Sequence, residues 1–331
     1  MKAKKRKHIV VIGGGTGSFT VLSGLKKYPV NLTAIVAMSD SGGSTGILRD
    51  ELGVLPPGDV ARCLVALSSS DTLMRTLMDY RFDNGNLKGH RFGNLLLSAL
   101  EKMTGSFDSA VEKVSEILRI DGRVIPVTLD KVNLMAKVGK RIIHGEEKIQ
   151  MTRLNGSLER IWLEPVARAN PKALAAIRAA DAIVIGPGGF YTGVVTNLLV
   201  RGIPEAIQKS KAKKIFVCNL MTKVEHTRDY SVRDYTRALE KYLDGSVDAV
   251  VYNNKQPASS LIKRYAREGD TLTSWDDVPA EHELIGANLL SHRESKFQKI
   301  GTPSKEASLV RHDPVKLAQI IAKIVGVKNG K

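Results

Sequence analysis

The chain has 331 residues, 43% of them hydrophobic and 25% charged, which supplies enough apolar material for a sizeable core and argues against global disorder. Its 50 Lys and Arg against 34 Asp and Glu leave a net charge of +16, which favours anionic partners without choosing among nucleotide, nucleic acid and anionic lipid. Aromatics are only 5% and basic residues are spread widely, unlike a nucleic-acid face, while Cys63 and Cys218 stand far apart, which argues against a disulfide framework or zinc site and fits a reducing cytoplasm.

Residues 1–7 are basic and read as a solvated, disordered tail. The apolar run behind them, Ile9 to Ile12, is too short for a secretory signal, and no run is long enough to span a membrane. "HIVVIGG" predicts a buried strand, "GSFTVLSGLKKY" a helix and "LTAIVAM" a second strand, together a βαβ unit. Helical spacing dominates from Asp59 to about Leu118. "RVIPVT", "VNLMAKV", "KRIIHGEEKIQ" and "RIWLEPV" then read as strands between turn residues, expected as an antiparallel hairpin insertion at about 123–165. Asn170 and Pro171 open the helix "NPKALAAIRAA". The strands "AIVIGPGG", "KKIFVCNLM" and "DAVVYNN" follow, with helical "VVTNLLVRGIPEAIQKS" and "SVRDYTRALEKYL" between them. "PVKLAQIIAKIVG" carries the apolar spacing of a helix packed on the core. This alternation implies an α/β fold with a Rossmann-like, doubly wound, mainly parallel sheet. A single domain over residues 8–327 is expected, since no linker marks a boundary.

Three predicted strands end in or near glycine-rich loops, at residues 13–18, 39–46 and 186–192. In open parallel sheets ligands bind beyond the carboxyl ends of the strands. Glycine lets main-chain amides approach an anion closely, and a helix N-terminus adds its dipole. Three such loops at equivalent strand ends predict one shared anion site. The first is not a full dinucleotide fingerprint, because Ser18 holds the third glycine position, nor a P-loop, because no Gly-Lys-Ser/Thr follows. Asp40 ends the second strand with three roles open to it: accepting from a ribose hydroxyl, holding Mg²⁺ near a phosphate, or capping the next helix. Asp59 would complete a metal-bridging carboxylate pair with Asp40, and is equally suited to N-cap its own helix. Gly89-His90-x-x-Gly93-Asn94 starts a helix expected to point into the site, which makes His90 a candidate phosphate or hydroxyl donor.

"GGGTGSFTVLSGL", "SDSGGSTGILRDELGVLPPGD", "GHRFGNLLLSAL", "IVIGPGGFYTGVVTNLL" and "VCNLMT", in that order, resemble the YvcK-type gluconeogenesis factors of the CofD-like superfamily. That superfamily also contains 2-phospho-L-lactate transferase. The resemblance runs from about residue 8 to "VRHDPVKLAQII" near the C-terminus. It implies a nucleotide-containing ligand. For the gluconeogenesis-factor branch this is a UDP-sugar, in a cytoplasmic regulatory protein linked to carbon metabolism and to cell-shape and wall control. The transferase branch instead moves a phospholactyl group with Mg²⁺ from a nucleotide diphosphate donor to a deazaflavin.

The ligand-binding residues implied are Gly13, Gly14, Gly15, Thr16 and Gly17, then Ser39, Asp40, Gly42 and Gly43, then His90 and Asn94, then Gly186, Gly188, Tyr191 and Thr192, and Asn219. "KRYAREG" with Tyr265 and "LVRHDPVKLA" with Arg311 resemble the UDP-sugar-binding branch. A tyrosine face stacks on uracil and an arginine fork suits a diphosphate, against the plainer roles of helix packing and a surface ion pair. Ser41 stands where the family commonly has a second aspartate, and Ala61 where it often has arginine, with Arg62 next to it. Two expectations result. The first is a nucleotide-sugar-binding regulatory protein that requires no cofactor; its partners are the nucleotide ligand, further copies of itself and a regulatory protein, with no nucleic acid. The second is a transferase in which Asp40 and Asp59 hold Mg²⁺.

Overall fold

The first apolar run forms β1 (Lys7–Gly13), whose Ile9 to Ile12 are fully buried. The computed structural model describes residues 6–153, 158–275, 282–291 and 310–328. Of the expected tail, residues 1–5 lie outside the described residues, and Lys7 already belongs to β1, ion-paired with Asp181 at 3.0 Å.

After β1 come α1 (Gly15–Leu25), β2 (Val30–Val36), α2 (Gly43–Leu52), α3 (Gly58–Leu67), α4 (Thr72–Asp79), α5 (Phe92–Thr104), α6 (Phe107–Ile117) and β3 (Arg123–Pro126). Next are β4 (Asn133–Val138), β5 (Arg141–His144), α7 (Glu146–Met151) and β6 (Leu158–Glu164). Then follow α8 (Pro171–Ala179), β7 (Ala182–Ile185), a π-helical turn (Phe190–Val195), α9 (Thr196–Leu198), α10 (Ile203–Lys209) and β8 (Lys213–Val217). The chain continues through α11 (Val232–Leu243), β9 (Ala249–Asn253), α12 (Ser259–Glu268), β10 (Glu283–Ala287) and α13 (Pro314–Val325).

The main sheet has seven strands in the order β10-β9-β8-β7-β1-β2-β3, and every neighbouring pair is parallel. From β1 the chain winds outward to β3, then crosses back to β7 and winds the other way. The doubly wound sheet is thus as expected, and its switch point falls between β1 and β7. Strands buried on both faces read as continuous apolar runs, which is why Ile183 to Ile185 and Val250 to Val251 show no alternation. A second, antiparallel sheet, β5-β4-β6, hangs in the crossover between the two halves.

Two local expectations need correction. Arg123–Pro126, placed in the insertion, instead pairs in parallel with β2, with Thr33 opposite Arg123, so the antiparallel sheet spans Asn133–Glu164. "KRIIHGEEKIQ" is not one strand: Gly145, at φ +93°, breaks it, and Glu146 and Glu147 open a short helix whose N-terminal dipole favours their charge. β10, unread in the sequence, adds a half-buried edge strand beside β9. At the C-terminus, Asp313 caps α13 by accepting from the amides of Val315 (2.8 Å) and Lys316 (3.1 Å). The buried face Leu317, Ala318, Ile321 and Ala322 packs α13 on the core, against α1. Among the described residues no helix is long and apolar enough to cross a membrane.

Candidate functional site

A cleft of about 800 Å³ opens at the carboxyl ends of the central strands, over the switch point, and all three glycine loops contribute to its lining. Gly14 is the extended N-cap of α1 and Gly15, at φ +58°, takes the left-handed turn that starts the helix. Loops 1 and 3 are in contact: a Cβ on Gly17 would lie 1.9 Å from the carbonyl oxygen of Pro187. Asn197 ties the same two regions, its Nδ2 donating to the carbonyls of Gly13 (3.3 Å) and Gly193 (2.8 Å). Asn219, beyond β8, donates Nδ2 to the carbonyl of Gly188 at 2.9 Å.

Of the residues expected to bind ligand, Gly14, Gly15, Thr16, Gly17, Asp40, Gly42, Gly43, Asn94, Gly188, Thr192, Asn219, Tyr265 and Arg311 line the cleft, as does Asp59. Gly13, Ser39, His90, Gly186 and Tyr191 do not. His90 is buried with Nδ1 3.1 Å from Ser44 Oγ, so it braces the start of α2 in place of donating into the cleft. Tyr191 shares a 3.0 Å hydrogen bond with the hydroxyl of Tyr230, in an aromatic group with Phe190. Ser39 is buried at the start of loop 2, and Gly186, at φ +74°, makes the turn that opens loop 3. Tyr265 departs from the expected uracil platform: it is 4% exposed, and its hydroxyl accepts from the Val310 amide at 3.1 Å. It holds the segment that carries Arg311 and leaves almost no face free for stacking.

The cleft carries charges of both signs. Asp59, in the first turn of α3, does not cap its helix; its carboxylate accepts from the Gly15 amide in loop 1. Burial, and then the nearby Asp40, push it up to about 7. Asp40 accepts from the Gly42 amide at 3.0 Å and is raised by burial against the opposing pull of Arg62 and Arg49. Sequence reasoning missed Glu146, the first residue of α7, which is hydrogen-bonded to the Thr192 side chain and the Ser41 main chain. Burial, then Asp40 and Asp59, push it up to about 8. A third acid therefore reaches loop 2 from the insertion, where Ser41 offers none.

Basic side chains line the same cleft. Arg62 donates to Thr16 Oγ1 at 2.7 Å, so it serves loop 1 from the turn of α3 after Asp59. Arg91, paired with Asp79 at 3.5 Å, is pushed down to about 10 by burial and then by Arg62. Arg311 is lowered by the same two causes. Arg81 and Lys88, from the turn before α5, also line the cleft. Planar guanidinium groups suit phosphate oxygens, although the Gly15, Gly42 and Gly43 amides beside them are already taken by Asp59, Asp40 and Glu147. Two buried carboxylates that repel each other, Asp40 and Asp59, suit a hard divalent cation in donor chemistry. Among the described residues, however, no group of three or more His, Cys, Asp or Glu is arranged to hold a metal ion.

The sequence profile of 2-phospho-L-lactate transferase CofD matches residues 9–292. The chain is 44% identical over 320 residues to a Thermotoga maritima protein named "Putative gluconeogenesis factor", which covers 96% of this chain and 98% of that one. It is 35% identical over 321 residues to the "Gluconeogenesis factor" of Bacillus subtilis, again across 96% and 98% of the two chains. A crystal structure of a UPF0052 family protein from Bacillus halodurans superimposes with a TM-score of 0.87 at 35% identity, over 96% of this chain and 99% of that one. With the family profile covering most of its length and relatives matched nearly end to end, the chain belongs to the CofD-like family, among the gluconeogenesis factors.

Proposed function

We propose that the protein is a cytoplasmic regulator that binds a nucleotide-sugar of the UDP-sugar class and is linked to carbon metabolism and cell-shape control. The observation that carries this reading is the meeting of three glycine loops with Arg62, Arg91 and Arg311 around one cleft at the switch point. Glycine-loop amides other than those of Gly15, Gly42 and Gly43, which Asp59, Asp40 and Glu147 occupy, would hold the diphosphate with those arginines. Asp40 and Asn219 would take hydroxyls. Binding energy would then bias a contact with a partner protein or with a second copy, with no turnover needed.

The buried Asp40–Asp59 pair favours a second reading, a transferase in which both carboxylates hold Mg²⁺ on a nucleotide diphosphate donor. Calorimetry with UDP-N-acetylglucosamine and GDP, each with and without Mg²⁺, separates the two. Saturable binding of the UDP-sugar that is indifferent to Mg²⁺ supports the first reading, and Arg62→Ala is expected to weaken it by roughly tenfold or more. Binding of GDP alone, dependent on Mg²⁺ and abolished in Asp40→Asn, would replace the first reading by the second.

A further inference from the structure

We propose that Lys223, held in place by the buried carboxylate of Asp270, is a further grip of the cleft on the diphosphate. This rests on the reading of the cleft as a nucleotide site and adds to it one binding residue and one positioning residue.

Lys223 follows β8 and lines the cleft. Its Nζ donates to Asp270 Oδ2 at 2.5 Å. The two partners are unequally placed: the Asp270 side chain is 3% exposed and that of Lys223 49%. Asp270 Oδ1 accepts from the Val224 amide at 3.0 Å, so both carboxylate oxygens are engaged by the one loop. An ammonium group has three N–H donors, and the bond to Asp270 uses one. The others belong to a half-exposed side chain in the wall of the cleft.

The plainer role for Lys223 is counter-ion to a buried acid. Two observations go beyond it. The loop keeps its path by bonds that do not involve the ion pair. The Thr222 amide donates to the Thr271 carbonyl at 2.8 Å, the Thr271 amide to Thr222 Oγ1 at 3.0 Å, and the Lys223 amide to Thr227 Oγ1 at 3.0 Å. What Asp270 adds is a fixed position for the ammonium, which lowers the ordering cost of a contact with ligand.

The second observation is that Lys223 shares its support with Arg311. The Asp270 amide donates to the Tyr265 carbonyl at 3.1 Å, and the Tyr265 hydroxyl accepts from the Val310 amide, next to Arg311, at 3.1 Å. The C-terminal part of α12 therefore mounts two cations that both line the cleft. The switch point divides the main sheet into β1-β2-β3 and β7-β8-β9-β10. Arg62 and Arg91 come from the first part, between β2 and β3, and Lys223 and Arg311 from the second, after β8 and β10. A diphosphate seated over the switch point meets cations from both parts. The compact charge of an ammonium serves a phosphate oxygen that a planar fork leaves unpaired.

The test is calorimetry on the full chain with UDP-N-acetylglucosamine and with inorganic pyrophosphate, at low and at raised ionic strength. Lys223→Gln keeps a donor for Asp270 and removes the charge, so it is expected to fold as the wild type does. It is expected to weaken both probes by about fivefold to tenfold and to flatten the salt dependence of binding. Asp270→Asn keeps an acceptor for the Val224 amide but releases the ammonium. It is expected to cost about threefold in affinity alone and nothing more in the Lys223→Gln background, because Asp270 acts through Lys223. Losses that add in the double variant would remove Asp270 from its positioning role. If Lys223→Gln leaves both affinities unchanged, Lys223 is a counter-ion and the inference is overturned while the nucleotide reading stands. If pyrophosphate binds through Lys223 and the sugar nucleotide does not bind, the inference stands and the nucleotide reading falls. Binding of neither probe by the wild type overturns both.

Discussion

Glu146 and Asp59 keep their protons at a pH where exposed carboxyl groups have lost them, because burial and mutual repulsion penalise their charged forms. A carboxyl raised in the folded state binds more protons there than in the unfolded chain, so stability falls as pH rises from the unfolded value to the folded one. For Glu146 that window closes at about 8, and for Asp59 at about 7. Glu146→Gln is therefore expected to match the wild type in thermal stability near pH ~5 and to exceed it by roughly 2–4 °C above pH ~8. Calorimetric melting at the two pH values checks this, and an equal effect at both would show that the charge of Glu146 is not the cause. Asp40 was legible in the sequence because it follows an apolar strand and precedes glycines. Glu146 was not, because nothing local marks an acidic pair after a hairpin as facing loop 2, more than a hundred residues back, and only the tertiary fold brings them together.

At the scale of elements, α13 shows how a readable helix acquires a demanding contact. Its apolar spacing announced it, and Asp313 with Pro314 marks its start. The surface it meets was hidden, since Gly24, in the last turn of α1, gives no sign of its role. A Cβ there would lie 2.0 Å from the Pro314 carbonyl oxygen and 2.8 Å from Ala318 Cβ. Gly24→Ala is expected to destabilise by about 2–3 kcal/mol through overpacking, against about 1 kcal/mol for Asp313→Ala through a lost cap, both measured by urea unfolding. A larger loss for the cap variant would mean that α1 and α13 separate easily. The misread elements were short. β3 has four residues and α7 six, too few for either period to declare itself. β3 reads as strand either way, and only its partner, β2, distinguishes main sheet from insertion.

Over the whole molecule, the cleft exists because the chain reverses its winding at β1, so that loops 1 and 3 diverge above adjacent strands and still touch at Gly17 and Pro187. Gly17→Ala drives a methyl group into a main-chain oxygen, whereas an alanine at Gly193, also on the cleft, meets nothing within 4 Å. The first substitution is expected to weaken UDP-sugar binding by about tenfold or more and to lower stability, and the second to leave stability within about 0.5 kcal/mol. Equal behaviour of the two, in titration and melting, would refute the close approach of these loops as a requirement. The βα rhythm made this plan readable from the sequence, but the depth of the cleft was not, since part of its lining comes from the crossover. α7 lies between β5 and β6 of the antiparallel sheet that hangs between the two halves, yet it delivers Glu146 to the cleft. Substitutions in that appendage can reshape the rim of the cleft while every parallel strand keeps its register, so the socket and the collar around it can be altered separately.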